Sequence, residues 1–401
     1  MSKGITSEDQ VAQWRLSVRE LLATRLQEAV EAVLEEELEQ VLGACSYERT
    51  LARRGYRNGS ERRRITTSQG TRELRVPRAR VTQPDGSLGE HRSELLPRYA
   101  RRSREIDEAI LSCYLAGANS RRIRKALAPL LGEAHLSKSA VSRVVGRLKE
   151  LFARWQGRDL AAESYPILFL DGFHLKVRLA RRVVAVPVLA VLGVREDGRK
   201  VLVALRLAAS EAAGLWSELL VDLQHRGLPA PRLLVVDGHA GLRKALAAWP
   251  GVEVQRCTEH KLRNLLTHAP RHAHAELRRD YRAISHAADG LAARKAYQSF
   301  LAKWSRLCPP VARSLEEAGE ELLSFYGLPR RMWKSIHSTN TLENLCREFR
   351  RRTKTQASFS TEQAALTLLW GLVAFGQIQL RRIDGYRELN KLLASTWTHA
   401  A

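Results

Sequence analysis

The chain has 401 residues, of which 44% are hydrophobic, and 66 Lys and Arg against 43 Asp and Glu give it a formal net charge of +23. This length predicts two to four domains. No apolar run reaches the roughly 18 residues of a membrane span, and the first residues lack the apolar core of a secretion signal, so we expect neither. Five scattered cysteines argue against a disulfide framework and for a reducing cytoplasm.

The excess of positive charge predicts a polyanionic partner, nucleic acid before membrane. The alternative is a basic protein from a GC-rich genome, with Arg in place of Lys. That alternative does not predict an uneven distribution, yet residues 1–45 hold four basic and nine acidic residues, whereas residues 46–104 hold 16 Arg and six acids. The contrast predicts separate modules.

The first two segments differ in pattern as well as in charge. Apolar residues recur at three- and four-residue spacing over 7–43, which predicts one or two helices for the N-terminal segment 1–45. Such a stripe suits packing on a second subunit or docking on its own chain. Residues 46–104 combine Gly, Ser, Thr and Arg with short β-type runs. They predict a small Arg-rich module whose cations would meet DNA phosphates.

Residues 105–158 predict three short helices separated by Gly-marked turns, with Ser120 and Ser137 as caps of the second and third. This arrangement suits a helix-turn-helix DNA-binding domain, and the alternative is an ordinary three-helix packing unit. The third helix would present five polar side chains to a groove: Lys138, Ser139, Ser142, Arg143 and Arg147.

Residues 159–260 change in character, because apolar strand-like runs alternate with helical patterns. Three strands come first, followed by a helix that Ser210 can cap, a strand, a helix and a fifth strand. The order β-β-β-α-β-α-β, with a further helical block behind it, predicts an α/β fold with a mixed sheet and matches the RNase H-like fold. Residues 258–335 are predicted to be almost entirely helical, as is the final block from about residue 338.

Two of the predicted strands end in an acid followed by glycine. Asp171 follows PILFL and Asp237 follows LLVV. In open α/β sheets, ligands gather at the carboxyl ends of strands, so carboxylates on the first and fourth strands would converge and favour a cation between them. The alternative is that Asp-Gly is only a turn signal, as we interpret Asp85 and Asp197.

A third carboxylate is needed to complete an oxygen-rich metal site, and Glu343 is the best candidate. Taken alone, Asn340 followed three residues later by Glu343 predicts a helix capping box. Glu348 is a rival acid on a different face of the same helix. A basic run follows that could contact DNA near the metals: Arg347, Arg350, Arg351, Arg352 and Lys354.

Such a carboxylate set would suit Mg²⁺. Two ions about 3.5–4 Å apart stabilise the attacking and leaving oxygens of a phosphoryl displacement. With water as the nucleophile a strand is nicked, and with a 3′-hydroxyl two strands are joined.

Three residues near the predicted strand ends are further candidates for contact with a metal ion or a phosphate. Cys257 and His260 form a C-x2-H pair, but a zinc site would need two more ligands, and none is obviously placed. We therefore favour a local structural role at the end of the fifth strand. His239 lies two residues after Asp237, close enough to touch a substrate phosphate.

Taken together, the motifs resemble the Mutator-like transposases of bacterial insertion sequences, of the DDE class with an RNase H-like core. The resemblance covers roughly residues 45–380 and is carried, in order, by TRELRVPR, SRRIRKAL, LSKSAVSRV, LDGFHLKVR, VVDGHAGLRKAL, VQRCTEHKLRNLL and STNTLENLCREFRRRTKTQASF.

The resemblance implies that Asp171, Asp237 and Glu343 are the catalytic triad, which outweighs the capping-box interpretation of Glu343. It implies that Cys257 and His260 form the family's short signature. It also implies that residues 261–335 are an all-helical insertion between the first part of the core at 159–260 and its C-terminal helices at 336–401.

From the residues and the resemblance together we expect a cytoplasmic, nucleoid-associated DNA transposase that acts as a homodimer on double-stranded DNA. Two Mg²⁺ ions would serve it, with Mn²⁺ as a substitute, and it would bind terminal inverted repeats and target DNA. One alternative is an RNase H-like, structure-directed nuclease without strand transfer. The other is a non-catalytic DNA-binding regulator.

Overall fold

The computed structural model describes residues 7–68, 70–131, 136–179, 182–207, 213–354, 359 and 361–389. The chain divides between Arg147 and Leu148 into two compact units. Within the described ranges, none of the helices combines the length and the apolar character needed to cross a bilayer.

The first unit begins with one long helix on a small antiparallel sheet, which confirms the helix predicted over 7–43 and the β-structure predicted after it. The second half of the helix packs its Leu34 against Ile65 and Leu74 of the sheet. Its first half exposes large apolar side chains such as Trp14, which is 69% exposed. The elements are α1 (Ser7–Leu42), β1 (Gly55–Thr67), β2 (Gly70–Thr82) and β3 (Leu88–Glu90).

Ion pairs join the acidic helix to the basic sheet. Glu20 on α1 binds Arg72 on β2 through two hydrogen bonds of 2.8 and 2.6 Å. Glu39 binds Arg57 on β1 at 3.1 Å. The acidic segment and the basic segment are therefore attracted to each other by these ion pairs. They also share a hydrophobic cluster.

Three helices follow, and they enclose a cluster of buried aliphatic side chains that includes Ile106, Ile123 and Val141. The hydroxyl of Ser137 accepts from the backbone N–H of Ala140 at 3.1 Å, which confirms the predicted cap. The helices are α2 (Arg104–Leu115), α3 (Ser120–Leu131) and α4 (Lys138–Gln156), and α4 continues into the second unit.

The predicted cap of the second helix is wrong by one residue. Ser120 is the first residue of α3 itself. Asn119 precedes it, and its side-chain oxygen accepts from the backbone N–H groups of Arg121 and Arg122 at 3.1 and 3.0 Å. An N-cap side chain reaches the second and third helical amides, and these are the amides that Asn119 reaches.

The second unit is built on a five-stranded mixed sheet with the order β6-β5-β4-β7-β8. The first three strands form an antiparallel meander, and β7 and β8 run parallel to β4. This element order confirms the predicted one, whereas the cap predicted at Ser210 lies outside the described residues. The elements are β4 (Ile167–Leu179), β5 (Arg182–Val194), β6 (Lys200–Leu207), α5 (Ala213–His225), β7 (Leu233–Val236), α6 (Ala240–Ala245) and β8 (Glu253–Arg256).

The prediction that Asp171 ends its strand is wrong. The strand β4 continues to Leu179, and Asp171 pairs with Ala190 in a long antiparallel hairpin with β5. On its other side, β4 pairs with β7, which ends at Val236. Asp171 therefore lies within a central strand, at the level where one neighbouring strand stops and the other continues.

Most of the described residues after β8 are helical, which confirms the prediction for 258–335. The helices of this segment form a core of their own around Tyr281, Phe300 and Trp304. One later helix, α12, packs against β4, where Phe349 stacks on Phe173 with ring centroids 6.1 Å apart. The helices are α7 (Thr258–His268), α8 (His274–Ser285), α9 (Gly290–Leu307), α10 (Pro309–Ala318), α11 (Trp333–Ile336), α12 (Asn340–Thr353) and α13 (Glu362–Ala374).

Candidate active site

Asp171 and Asp237 lie next to each other on neighbouring strands. Leu170 on β4 is paired with Val236 on β7, and each acid is the next residue of its chain. Asp171 is 5% exposed. Asp237 is half-buried, and its Oδ1 accepts from the backbone N–H of His239 at 2.8 Å. The sheet thus brings the two predicted acids side by side.

The surroundings of Asp171 disfavour its charged form. Burial raises the pKa of Asp171 to about 8, and the charge of Asp237 adds to that effect, while His260 opposes it. A buried carboxylate beside a second one is costly unless a cation lies near them. Two carboxylates are also the hard oxygen donors that Mg²⁺ prefers, so this pair fits such an ion by chemistry and by charge.

Glu343 lies in the first turn of α12, and its carboxylate contacts the guanidinium of Arg263 and the imidazole of His260. Arg263 on α7 donates two hydrogen bonds to it, of 2.7 and 3.1 Å, and His260 Nε2 lies 3.2 Å from Oε1. The hydrogen bonds from Arg263 are the main cause of a lowered pKa of Glu343. The charge of Glu343 also raises the pKa of Asp171.

The capping-box interpretation of Glu343 is wrong. The residue before α12 is Thr339, so Asn340 is already helical and cannot act as its cap. The hydroxyl of Thr339 instead lies 3.3 Å from His260 Nδ1. The carboxylate of Glu343 is free of any capping role, because it binds Arg263 and His260.

The three acids do not form a ready-made metal cage. Over the described ranges, no three His, Cys, Asp or Glu side chains are grouped so that they could hold a metal ion as they stand. The carboxylate of Glu343 is instead engaged by Arg263.

Cys257 and His260 join three parts of the site. Cys257 is fully buried, and its N–H donates to the carbonyl of Val236 at 2.7 Å. Its sulfur accepts from the N–H of Thr339 at 3.3 Å. His260 lies between Thr339 and Glu343. These contacts link the end of β7, the start of α7 and the start of α12, in agreement with a local structural role for the pair.

Comparison with known proteins identifies the family. The model of the family described as "Transposase, Mutator family" matches residues 3–377. The chain belongs to the Mutator family of transposases. Membership supports an enzyme that acts on DNA.

Curated relatives of this Mutator-family chain are transposases of bacterial insertion sequences. One, for element ISRM5 of Rhizobium meliloti, is 36% identical over 361 residues, 88% of this chain and 86% of the relative. Another, for IS905 of Lactococcus lactis, is 33% identical over 350 residues, 86% of each chain. A third, for IS1081 of Mycobacterium tuberculosis, is 32% identical over 394 residues, 96% of this chain and 92% of the relative.

The candidate DNA-binding side chains of α4 are all exposed. Arg143 donates to the carbonyl of Ser139 in its own helix at 3.4 Å, whereas Arg147 pairs with Asp107 of α2. Part of the positive charge on this helix is therefore neutralised within the same unit. The exposed set is Lys138, Ser139, Ser142, Arg143 and Arg147.

The basic run of α12 is divided. Arg351 is neutralised within its own helix, because it pairs with Glu348 at 2.6 Å. Arg352 is half-buried and donates to the carbonyl of Gln377 at 3.3 Å. The exposed members are Arg347, Arg350, Arg351 and Lys354.

In this Mutator-family chain, two cationic residues at the site were missed from the sequence. Arg263 lies three residues after His260, on the same face of α7, and both contact Glu343. That spacing was the available signal. Arg256 ends β8 and is 3% exposed, so it is a charged side chain inside the core. No pattern in the sequence indicated the partners of Arg256.

Proposed function

We propose that the chain is the DNA transposase of an insertion sequence, which binds terminal inverted repeats and cuts and joins DNA strands at Asp171, Asp237 and Glu343. The observation that carries the proposal is the placement of Asp171 beside Asp237 on neighbouring parallel strands, in a chain of a transposase family. The strand order, with three antiparallel strands followed by two parallel ones, supports an RNase H-like catalytic core.

Two Mg²⁺ ions, held by these three acids, would stabilise the attacking and leaving oxygens of an in-line displacement at phosphorus. The protein's own part is to hold the three carboxylates in place and to favour the ionised form of Glu343. The sheet fixes Asp171 and Asp237 through backbone pairing. The helix α12, packed on β4 through Phe349, carries Glu343. Arg263 and His260 lower the pKa of Glu343 and so favour its ionised form. A metal ion bound by Glu343 would compete with these two contacts.

Exposed cations on two helices are suited to the DNA backbone. Lys138 and Arg143 on α4, and Arg347 and Arg350 on α12, are exposed. Contacts from Lys and Arg to phosphates supply affinity and position the duplex without reading its sequence. We therefore assign these side chains to phosphate contact, and the helix-turn-helix role of α2–α4 belongs to the same proposal.

A joining assay tests the function. The purified chain is incubated with Mg²⁺, a plasmid and a duplex that ends in the terminal repeat with a free 3′-hydroxyl. A transposase yields duplex covalently joined to plasmid. A nuclease without strand transfer yields nicked DNA and no joined product, and a DNA-binding regulator yields a complex without cleavage. Either of the last two results rejects the proposal.

The homodimer stays a prediction. The exposed apolar side chains in the first half of α1, among them Trp14 and Leu16, offer a surface that a second copy would cover. The molar mass of the wild type in solution, compared with that of Trp14→Asp, tests it. A monomeric wild type would show that the prediction is wrong.

A further inference from the structure

We infer that Arg256, held by Glu317, is a positioning residue that fixes the turn carrying Asp237. This inference rests on the proposed function, in which Asp237 takes part in the chemistry. It assigns a role to two further residues, Arg256 and Glu317. Their contact links the helical segment to the ends of the strands that carry the aspartates.

Arg256 lies beside the Asp237 turn. It ends β8, where it is paired with Val236, the residue before Asp237. Its Nη2 donates to the carbonyl of Gly238 at 3.3 Å, and its side chain is 4% exposed. A guanidinium therefore supports the turn from inside the protein.

The backbone at Gly238 lies against this guanidinium, with no room for a side chain. Its φ of +86° lies in the region that favours glycine. A Cβ placed there would lie 2.4 Å from both Nε and Nη2 of Arg256. The backbone after Asp237 thus lies directly on Arg256, and any displacement of Arg256 would displace this turn.

Glu317 of α10 holds Arg256 in place. Arg256 Nη1 donates to its Oε1 at 2.9 Å and to its backbone oxygen at 3.2 Å. Burial alone would raise the pKa of Glu317, but the hydrogen bonds from Arg256 and Lys261 outweigh it and lower the pKa to about 2. Glu317 is therefore ionised wherever the protein is folded at neutral pH.

The same carboxylate also binds α7 and α6. Lys261 on α7 is 3% exposed and donates to Glu317 Oε2 at 2.9 Å. Arg243 on α6, the helix that follows Asp237, donates to Oε1 at 2.7 Å. One carboxylate of the helical segment therefore ties β8, α6 and α7 together around Asp237. Removing one partner of a buried charge is strongly destabilising. The buried cations Arg256 and Lys261 therefore favour the arrangement in which both bind Glu317.

Amide hydrogen exchange over residues 236–243, measured by mass spectrometry without metal or DNA, tests the inference. Arg256→Lys keeps the charge but loses the planar fork that reaches Gly238 and Glu317 together. Glu317→Gln keeps the shape but loses the charge. Glu276→Gln is the matched control, because Glu276 is similarly exposed and pairs with Lys303 at 2.6 Å in the same helical segment.

We expect Arg256→Lys and Glu317→Gln to speed exchange over 236–243 by about tenfold or more, the ratio that corresponds to one lost hydrogen bond to a charged group. We expect Glu276→Gln to leave this segment unchanged. In cleavage assays the first two variants should lower kcat while the KM for DNA stays constant. Thermal unfolding identifies any variant that fails to fold, and the other variant then decides.

Unchanged exchange in both folded variants would overturn the inference, as would faster exchange with unchanged kcat. Failure of the proposed function is seen separately, as a wild-type chain without Mg²⁺-dependent cleavage. In that case the exchange measurement, which needs neither metal nor DNA, still decides whether Arg256 and Glu317 hold the turn.

Discussion

Arg263 holds the carboxylate of Glu343 through two hydrogen bonds, although 80 residues separate them in the chain. The pair sets up a competition, because the carboxylate that would complete the metal site is bound to a guanidinium. Arg263 is 56% exposed in its side chain. An exposed ion pair is worth about 0.2–1 kcal/mol, so the competition is modest and reversible.

Arg263→Gln should therefore raise the affinity of the free protein for Mn²⁺, by about 2- to 5-fold, the ratio that corresponds to loss of one exposed ion pair. Isothermal titration without DNA measures it. Arg347→Gln is the control, since Arg347 affects Glu343 through charge and Arg263 mainly through hydrogen bonds. If both variants gained Mn²⁺ affinity equally, or if Arg263→Gln bound Mn²⁺ more weakly, the hydrogen bonds of Arg263 would not compete with the metal ion for Glu343.

DNA binding should weaken steeply with salt, because each phosphate contact releases counterions, and the slope of log affinity against log salt is about −0.9 per contact. Arg143→Ala should reduce that slope by about one unit. Arg147→Ala should reduce it less, because Arg147 is already paired with Asp107. Fluorescence anisotropy at several salt concentrations gives the slopes. A slope that neither variant alters would remove α4 from the DNA interface.

Stability should depend on pH through Glu253 at the start of β8. Burial raises its pKa to about 7 from an ordinary value near 4.5. Between these values the folded chain holds more protons than the unfolded one, so the contribution of Glu253 is present at low pH and is lost as pH rises towards 7. Glu253→Gln should therefore raise the free energy of unfolding at pH 8, by on the order of 1 kcal/mol, and change it little at pH 4.

Urea denaturation at the two pH values measures this effect. Glu320→Gln removes an equal charge from a carboxylate whose side chain is 68% exposed, and it should produce no such difference. If Glu253→Gln changed the free energy of unfolding equally at both pH values, the raised pKa of Glu253 would not be the cause of that change.

The adjacency of Asp171 and Asp237 could be predicted because apolar runs identify the strands, and the order of strands and helices matches a fold in which the first and fourth strands are neighbours. The sequence could not show that β4 continues past Asp171, since that depends on how far β5 pairs with it. The cap at Asn119 instead of Ser120 shows a similar limit, because adjacent polar residues compete for the same amides.

The contacts of Glu343 were harder to predict than its place as the candidate third carboxylate. Its spacing from Asn340 is that of a capping box, yet α12 begins at Asn340 and leaves the carboxylate to partners on α7. Contacts between residues 80 positions apart depend on tertiary packing, which local pattern does not encode. Arg256 and Glu317, 61 positions apart, were missed for the same reason.

The most direct measurement is single-turnover cleavage of a terminal-repeat duplex by Glu343→Gln and Glu348→Gln in Mg²⁺. Both substitutions remove one negative charge from α12, but Glu343 contacts His260 and Arg263 on α7 and its charge affects Asp171, whereas Glu348 pairs with Arg351 on its own helix. We predict that Glu343→Gln lowers the cleavage rate by at least about 100-fold, the loss of roughly 2.7 kcal/mol of transition-state stabilisation, while Glu348→Gln cleaves at nearly the wild-type rate. Wild-type cleavage by Glu343→Gln, with both variants folded, would contradict the assignment of the site.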